Sequence, residues 1–288
     1  MTYFGILILF ILPPLALLSI AVPRDLWIWL RRGERQVDWQ SYTILLAHVV
    51  LALVYTSPWD NYLVATGVWW YNPDLVTGVK LGWVPIEEYT FFVMQTLLTG
   101  LWALLLHRKY KSKTIPLKPL PGLRVSASLL SILVGGAALL ALLSGWQPGT
   151  YLCLILAWAL VPVFVQMAFG GDILFARGGR LALTILPPTL YLWAVDAFAI
   201  QSGTWTIDPG QTTGFKLGVL PIEEMLFFFM TNLIIGFGVH LMLAEESQLR
   251  AQGWLRRLKT KRKFTVHIPG HQNPSAGSAE SQPGGRWD

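Results

Sequence analysis

Long apolar runs broken by short polar stretches dominate the chain. Runs of roughly 17–22 residues, enough to cross about 30 Å of hydrocarbon as helix, fall near Tyr3–Val22, Tyr42–Ser57, Ile86–His107, Val125–Leu143, Thr150–Phe169, Leu181–Ile200 and Ile222–Leu243. The second run is the shortest and contains His48. The pattern predicts an all-α integral membrane protein with seven transmembrane helices. Pro13-Pro14 and Pro187-Pro188 are expected to kink the first and sixth spans, a distortion that neighbouring helices in a bundle accommodate. The first run has neither the basic n-region nor the Ala-x-Ala site of a signal peptide, so it reads as a helix.

Composition agrees with this reading. Of the 288 residues 53% are hydrophobic and 13% charged, too few charges to cover a soluble globule. Twenty of the 22 lysines and arginines fall on one side of the predicted membrane; Lys80 and Lys216 alone fall on the other. The positive-inside rule then puts the amino terminus outside and the carboxyl terminus in the cytoplasm of a multi-pass cell-membrane protein. The net charge of +6 and the run "RRLKTKRK" suit anionic lipid headgroups, and no nucleic-acid partner is expected. Residues 246–288 read as a basic, disordered tail, Gly/Pro/Ser-rich after His267. Cys153, the only cysteine, lies inside the fifth run, so no disulfide or thiol pair is available.

The chain repeats itself. A shift of 136 positions aligns Asp60 with Asp196, Gly67 with Gly203, Trp69 with Trp205, Lys80 with Lys216 and Pro85 with Pro221. The same register carries "KLGWVPIEEYTFF" onto "KLGVLPIEEMLFF", and so Glu87, Glu88, Phe91 and Phe92 onto Glu223, Glu224, Phe227 and Phe228. Residues 1–110 and 149–245 thus read as two three-helix repeats joined by a connecting span within 111–148. An even number of crossings separates them, so they run parallel through the membrane and present both Glu-Glu pairs at one face.

Turn residues at "YNPD" and "DPG" predict a short hairpin or reentrant loop over the bundle before each motif. Pro85 and Pro221 then open spans three and seven, with the glutamates in the first helical turn. Neighbouring helical residues point about 100° apart, so one acid of each pair can face a cavity while the other bonds the loop. Glu87 shares a face with Phe91 and Met94, and Glu88 with Phe92 and Gln95. A proton donor and acceptor set among Trp69, Trp70, Tyr71, Trp83, Trp205, Phe91, Phe92, Phe227, Phe228 and Phe229 suit acid–base work on an apolar substrate, the π faces stabilising a cation. Asp60 and Asp196 read as the polar ends of spans two and six, and Lys80 and Lys216 as ion-pair partners. Acids at a helix start also serve as caps, and interfacial Trp and Tyr as membrane belts; spacing alone leaves that structural reading open. His48 and His240 have no counterpart in the other copy and read as packed histidines.

Other chemistries find no motif. There is no Gly-x-Gly-x-x-Gly, no P-loop and no His-x-x-x-His or aspartate-rich metal box. Neither of the last two spans carries the lysine that a retinal Schiff base needs.

The doubled Pro-Ile-Glu-Glu motif, the upstream acid and Gly-x-Trp, and the three-plus-one-plus-three order of spans resemble the membrane lycopene cyclases, which occur as two small subunits in some bacteria and as one fused chain in archaea and fungi. The resemblance to the fused form covers about Tyr3 to Leu243 and implies β-cyclisation of the ψ ends of lycopene. An acid protonates the terminal C1=C2 bond, C5=C6 attacks the tertiary cation and a base removes a proton, without net redox change, metal or other cofactor. It implies Glu87, Glu88, Glu223 and Glu224 as acid and base, with Asp60, Asp196, Trp69, Trp205, Lys80, Lys216 and the four motif phenylalanines in support. Implied partners are a carotenoid substrate, membrane lipid and other carotenoid-biosynthesis enzymes. A carotenoid end-group hydratase and a small-solute transporter of the same architecture are the alternatives.

Overall fold

A computed structural model describes residues 1–22, 37–110 and 120–265, with side chains as far as residue 256. Seven of its helices are long and apolar enough to cross a membrane: α1 (Tyr3–Ala21), α2 (Trp39–Ala65), α3 (Ile86–Lys109), α4 (Pro121–Leu143), α5 (Thr150–Phe175), α6 (Gly178–Gln201) and α7 (Ile222–Leu243). An eighth, α8 (Glu245–Thr265), follows them. Met1–Gln248 form one compact unit, and the rest of α8 belongs to a second unit from Leu249 onward.

Several boundaries differ from the expectation. The second span continues past "SP" to Ala65 with Pro58 inside it, as neighbouring helices in a bundle allow; beside it the Ser57 hydroxyl donates to the Leu53 carbonyl and Asn61 Nδ2 to the Ser57 carbonyl at 2.8 Å. Asp60 therefore sits inside a helix, and is no polar terminus. The strain of Pro13-Pro14 is taken up by a π-helical turn, Leu7–Ile11, just before them. Part of the tail expected to be disordered is helical, through Thr265; residues 266–288 lie outside the described residues.

α5 is broken at Gly170 (φ −147°, ψ 27°), where Leu241 of α7 fills the space that a side chain would need. α3 and α7 are the most buried of the spans. Between them Gln95 Nε2 donates to Thr231 Oγ1 (2.8 Å) and Thr99 Oγ1 to Asn232 Oδ1 (2.6 Å), while Asn232 Nδ2 reaches Thr189 of α6 (3.0 Å). Hydrogen bonds of this kind join helices where apolar burial discriminates little between helix and lipid contacts.

The two interhelical loops are built alike. Each has a short strand, β1 (Trp69–Tyr71) or β4 (Trp205–Ile207), a 3-10 turn capped by Asn72 or Asp208, and a hairpin. The hairpins, β2 (Lys80–Leu81) with β3 (Val84–Pro85) and β5 (Lys216–Leu217) with β6 (Leu220–Pro221), deliver the chain into α3 and α7. The loops do not lie separately over the bundle: β1 and β4 pair antiparallel, Trp70 opposite Thr206, into one ribbon.

Each hairpin turns on a glycine with positive φ, Gly82 (70°) or Gly218 (63°). Around Gly82 the space is taken by the Asn61 side chain, which accepts from Trp83 N at 2.7 Å, whereas a Cβ at Gly218 would meet nothing within 4 Å. Gly82→Ala is expected to cost about 1–2 kcal/mol for the left-handed backbone and a further loss for displacing Asn61. It should therefore lower the thermal unfolding midpoint of detergent-purified protein more than Gly218→Ala; equal shifts would count against the Asn61 contact.

Candidate active site

Pro85 and Pro221 stand at the N-caps of α3 and α7, with extended backbone. Ile86 or Ile222 is then the first helical residue, and the paired glutamates are the second and third. The motif thus points its two acids in different directions. Glu87 Oε1 turns outward to the overlying loop and accepts from Thr77 N (2.6 Å). Glu223 Oε1 accepts from both the backbone N (2.7 Å) and the hydroxyl (2.7 Å) of Thr213.

The second acid of each pair turns inward. Glu88 and Glu224 line one cavity of about 50 Å³ together with Asp60 and Asp196. Its walls include Trp69, Trp205, Phe91, Phe92, Phe227 and Phe228. Both phenylalanines of each copy fall on the inward acid's face, at i+3 and i+4; the expected grouping of Phe91 with Glu87 is corrected.

Three phenols hold the inward carboxylates. Tyr3 of α1 donates to Glu88 Oε2 at 2.6 Å and Tyr71 of β1 to the same oxygen at 2.9 Å. Tyr151 of α5 donates to Glu224 Oε1 at 2.7 Å. Burial first, and then the charges of Asp60 and Glu88, push the Tyr71 phenol well above its ordinary range, so it stays a donor. The upstream tryptophans act differently in the two copies. Trp205 Nε1 donates to Asp196 Oδ1 (3.0 Å), but Trp69 Nε1 is drawn to the Tyr71 hydroxyl (3.2 Å), and both oxygens of Asp60 are buried without a hydrogen-bond partner.

Not every expected residue joins the site. Lys80 and Lys216 are exposed on the hairpins and form no ion pair with the glutamates, because the strand pairing turns them away from the helix starts. Trp70 and Trp83 are also exposed, as alternation along a strand and a turn position put them on the outer side of the ribbon. Phe229 is half-buried against a second apolar cluster behind α7. His48 and His240 bond the carbonyls of Ile44 and Gly236 one turn back, as packed histidines do. Among the described residues no three His, Cys, Asp or Glu side chains are grouped to hold a metal ion.

Sequence reasoning missed Tyr3, Tyr151 and Trp59, all of which line the cavity. A signal was present: "TYFGILI" at the start of α1 matches "TYLCLIL" at the start of α5, but at a shift of 148, not 136. A single ungapped register passes over it.

An apolar void walled by aromatic rings and entered by several carboxyl groups can pass a proton to a hydrocarbon and take one back. Comparison with known proteins agrees with that chemistry. A family model described as lycopene cyclase matches residues 1–106 and 148–242. The chain is 43% identical over 204 residues to the lycopene beta-cyclase of Halobacterium salinarum, covering 68% of this chain and 79% of that protein. It is 37% identical over 203 residues to the bifunctional lycopene cyclase/phytoene synthase of Podospora anserina, covering 66% of this chain and 33% of the relative. The corresponding protein of Colletotrichum graminicola is 41% identical over 202 residues, with 66% and 34% covered, so the chain spans about a third of the fungal relatives. No solved structure matches it. Since the family model covers both glutamate motifs and all the helices that build the cavity, the chain belongs to the lycopene cyclase family.

Proposed function

We propose that this protein is a lycopene β-cyclase whose acid and base are the inward glutamates of the two motifs, Glu88 and Glu224. The observation that carries this reading is their convergence, from helices of opposite halves, on one cavity walled by aromatic rings. One carboxyl delivers a proton to the terminal C1=C2 bond of a ψ end, the C5=C6 bond closes on the C1 cation, and the other carboxylate removes a proton to leave the ring double bond. The atoms balance without an oxidant, reductant or cofactor. Phe91, Phe92, Phe227 and Phe228 offer π faces to the cation, and Asp60 and Asp196 set the field inside the cavity. Glu87 and Glu223 position the overlying loops through Thr77 and Thr213 and do not touch substrate.

The architecture follows the same logic. Residues 1–110 and 149–245 are two parallel three-helix repeats, with α4 as the connecting helix. The chain sits in the cell membrane with its amino terminus and the ribbon outside and its carboxyl terminus in the cytoplasm. There it draws lycopene from the bilayer, beside the other enzymes of carotenoid biosynthesis.

Expression in bacteria that accumulate lycopene is expected to give pigments of unchanged mass and blue-shifted absorbance. Added mass of water would identify a hydratase, and unchanged lycopene from membrane-inserted protein would overturn the reading. Glu88→Gln and Glu224→Gln are each expected to lower the conversion rate at least a hundredfold, in the range of general acid–base contributions. Glu87→Gln and Glu223→Gln should lose less, and Glu223→Gln the more of the two, because its carboxylate holds two donors of Thr213. Comparable losses at all four positions would sink the division of labour.

Both motifs act at one membrane face, and lycopene is a rod of roughly bilayer length. Making a second ring requires the one-ringed product to leave and return reversed, so a time course should show γ-carotene rising before β-carotene. Two-ringed product alone from the first turnover would argue against it.

A further inference from the structure

The cavity around the glutamates, at about 50 Å³, has room for no more than a fragment of a polyene. A second space adjoins it. A groove of about 250 Å³ runs down the bundle between α2, α3, α5 and α7, and Phe92 and Phe227 line both spaces. Trp59, Trp158 and Phe227 form the common wall: Trp59 and Trp158 stack at 4.6 Å, and Trp59 and Phe227 at 5.7 Å with planes 9° apart.

Four helical stripes follow this wall away from the acids. On α2 the stripe from Asp60 continues through Thr56 and Ala52 to His48, and on α7 the stripe from Glu224 continues through Thr231 to Ile235. Twelve and eleven residues of helix are about 18 and 16 Å, half of the roughly 30 Å hydrocarbon core. Polar groups along the way serve the protein: Tyr55 donates to the Trp158 carbonyl (2.8 Å), Gln95 to Thr231 (2.8 Å), and Gln166 to the Ile234 carbonyl (2.9 Å). At the mouth Leu51 and Tyr55 are exposed on the outer surface of the bundle.

The equivalent path in the other half is lined by bulkier side chains. Its geometry mirrors the groove, with the Tyr191 hydroxyl bonding the Phe10 carbonyl (2.5 Å) as Tyr55 bonds that of Trp158. Tyr55 and Tyr191 are related by the shift of 136, and Phe10 and Trp158 by that of 148. But Leu192 and Pro188, both buried, stand where the open side has Thr56 and Ala52. Asn232, in the place of Thr96, is fully buried and bridges Thr99 and Thr189.

From this asymmetry we propose that the groove between α2, α3, α5 and α7 is the binding path of the polyene chain and its lateral entry from the bilayer, open on one side only. It rests on the cyclase reading above and deepens it. The ψ end passes Phe92 and Phe227, which part to admit it, while the conjugated chain stays in the groove along Ala52, Thr96 and Ile234. One-sided entry gives the substrate a single orientation toward Glu88 and Glu224. The two glutamates, alike in sequence, therefore meet different carbons.

The test separates loading from chemistry. Full-length protein is reconstituted in phosphatidylcholine vesicles containing lycopene; conversion is measured in the otherwise unchanged chain, and pigment retained on purification in the Glu88→Gln chain. Ala52→Phe on α2 and Ile234→Phe on α7 are each expected to lower both readouts at least tenfold, whereas Val54→Phe, on the exposed side of α2, should leave both near the parent. Leu51→Trp at the exposed mouth, where no buried contact constrains folding, should slow loading severalfold. Folded Ala52→Phe or Ile234→Phe protein that retains lycopene as the parent does, or Leu51→Trp protein that loads at the parental rate, would overturn the groove. Continued cyclisation by Glu88→Gln would instead count against the assignment of Glu88 and leave the loading result standing.

Discussion

Four carboxyl groups, those of Asp60, Glu88, Asp196 and Glu224, are buried around one small void in an otherwise apolar bundle. Taking such groups out of water costs several kcal/mol each unless they are bonded or neutral, and much of the surrounding structure answers that cost. The phenols of Tyr3, Tyr71 and Tyr151 and the indole of Trp205 all spend their donors on it. They come from α1, from both strands of the ribbon and from α5, and their acceptors stand on α3, α6 and α7, so the cavity ties five spans and their cover together. Asp60 is the exception, with no hydrogen-bond partner for either oxygen; buried polar groups left so are rare in folded proteins and concentrate at functional sites.

The two copies start from nearly the same motif and reach different local networks through one substitution. Tyr71 of the first copy aligns with Ile207 of the second. Where the tyrosine is present its hydroxyl accepts from the Trp69 indole and donates to Glu88; where isoleucine replaces it, Trp205 donates to the aspartate. Glu88 thereby gains a second phenol and Asp60 loses its tryptophan. Two motifs alike in sequence are thus chemically distinct in their surroundings, which suits a reaction needing one donor and one acceptor. The open groove beside one half and the packed Leu192, Pro188 and Asn232 beside the other express the same divergence in shape.

The ribbon explains why the motif carries two acids rather than one. The inward glutamate serves the cavity, and the outward one, only a residue away, accepts backbone donors from the loop that covers it. A cover held by the same helical turn that presents the proposed catalytic group keeps that group's angle to the cavity coupled to the cover's position. Its two loops pair with each other through β1 and β4, so neither half can be capped alone.

The seven spans and the inward-outward division of each Glu-Glu pair were legible in the sequence. Span length, the proline at each helix start and the 100° step between neighbours are local properties, set by a few residues of chain. The extent of α2 was not legible, since a proline such as Pro58 ordinarily ends or kinks a helix and only the surrounding bundle decides that it does not. Nor were Tyr3 and Tyr151, whose shift of 148 was hidden because the loops after them differ in length while the motif register stayed at 136. The union of two loops into one ribbon, the burial of Asp60 and the groove between α2, α3, α5 and α7 belong to the tertiary structure. Each depends on which helices become neighbours, and in a bundle whose spans are all apolar that choice is made by a few hydrogen bonds and by side-chain volume, which hydropathy along the chain does not record.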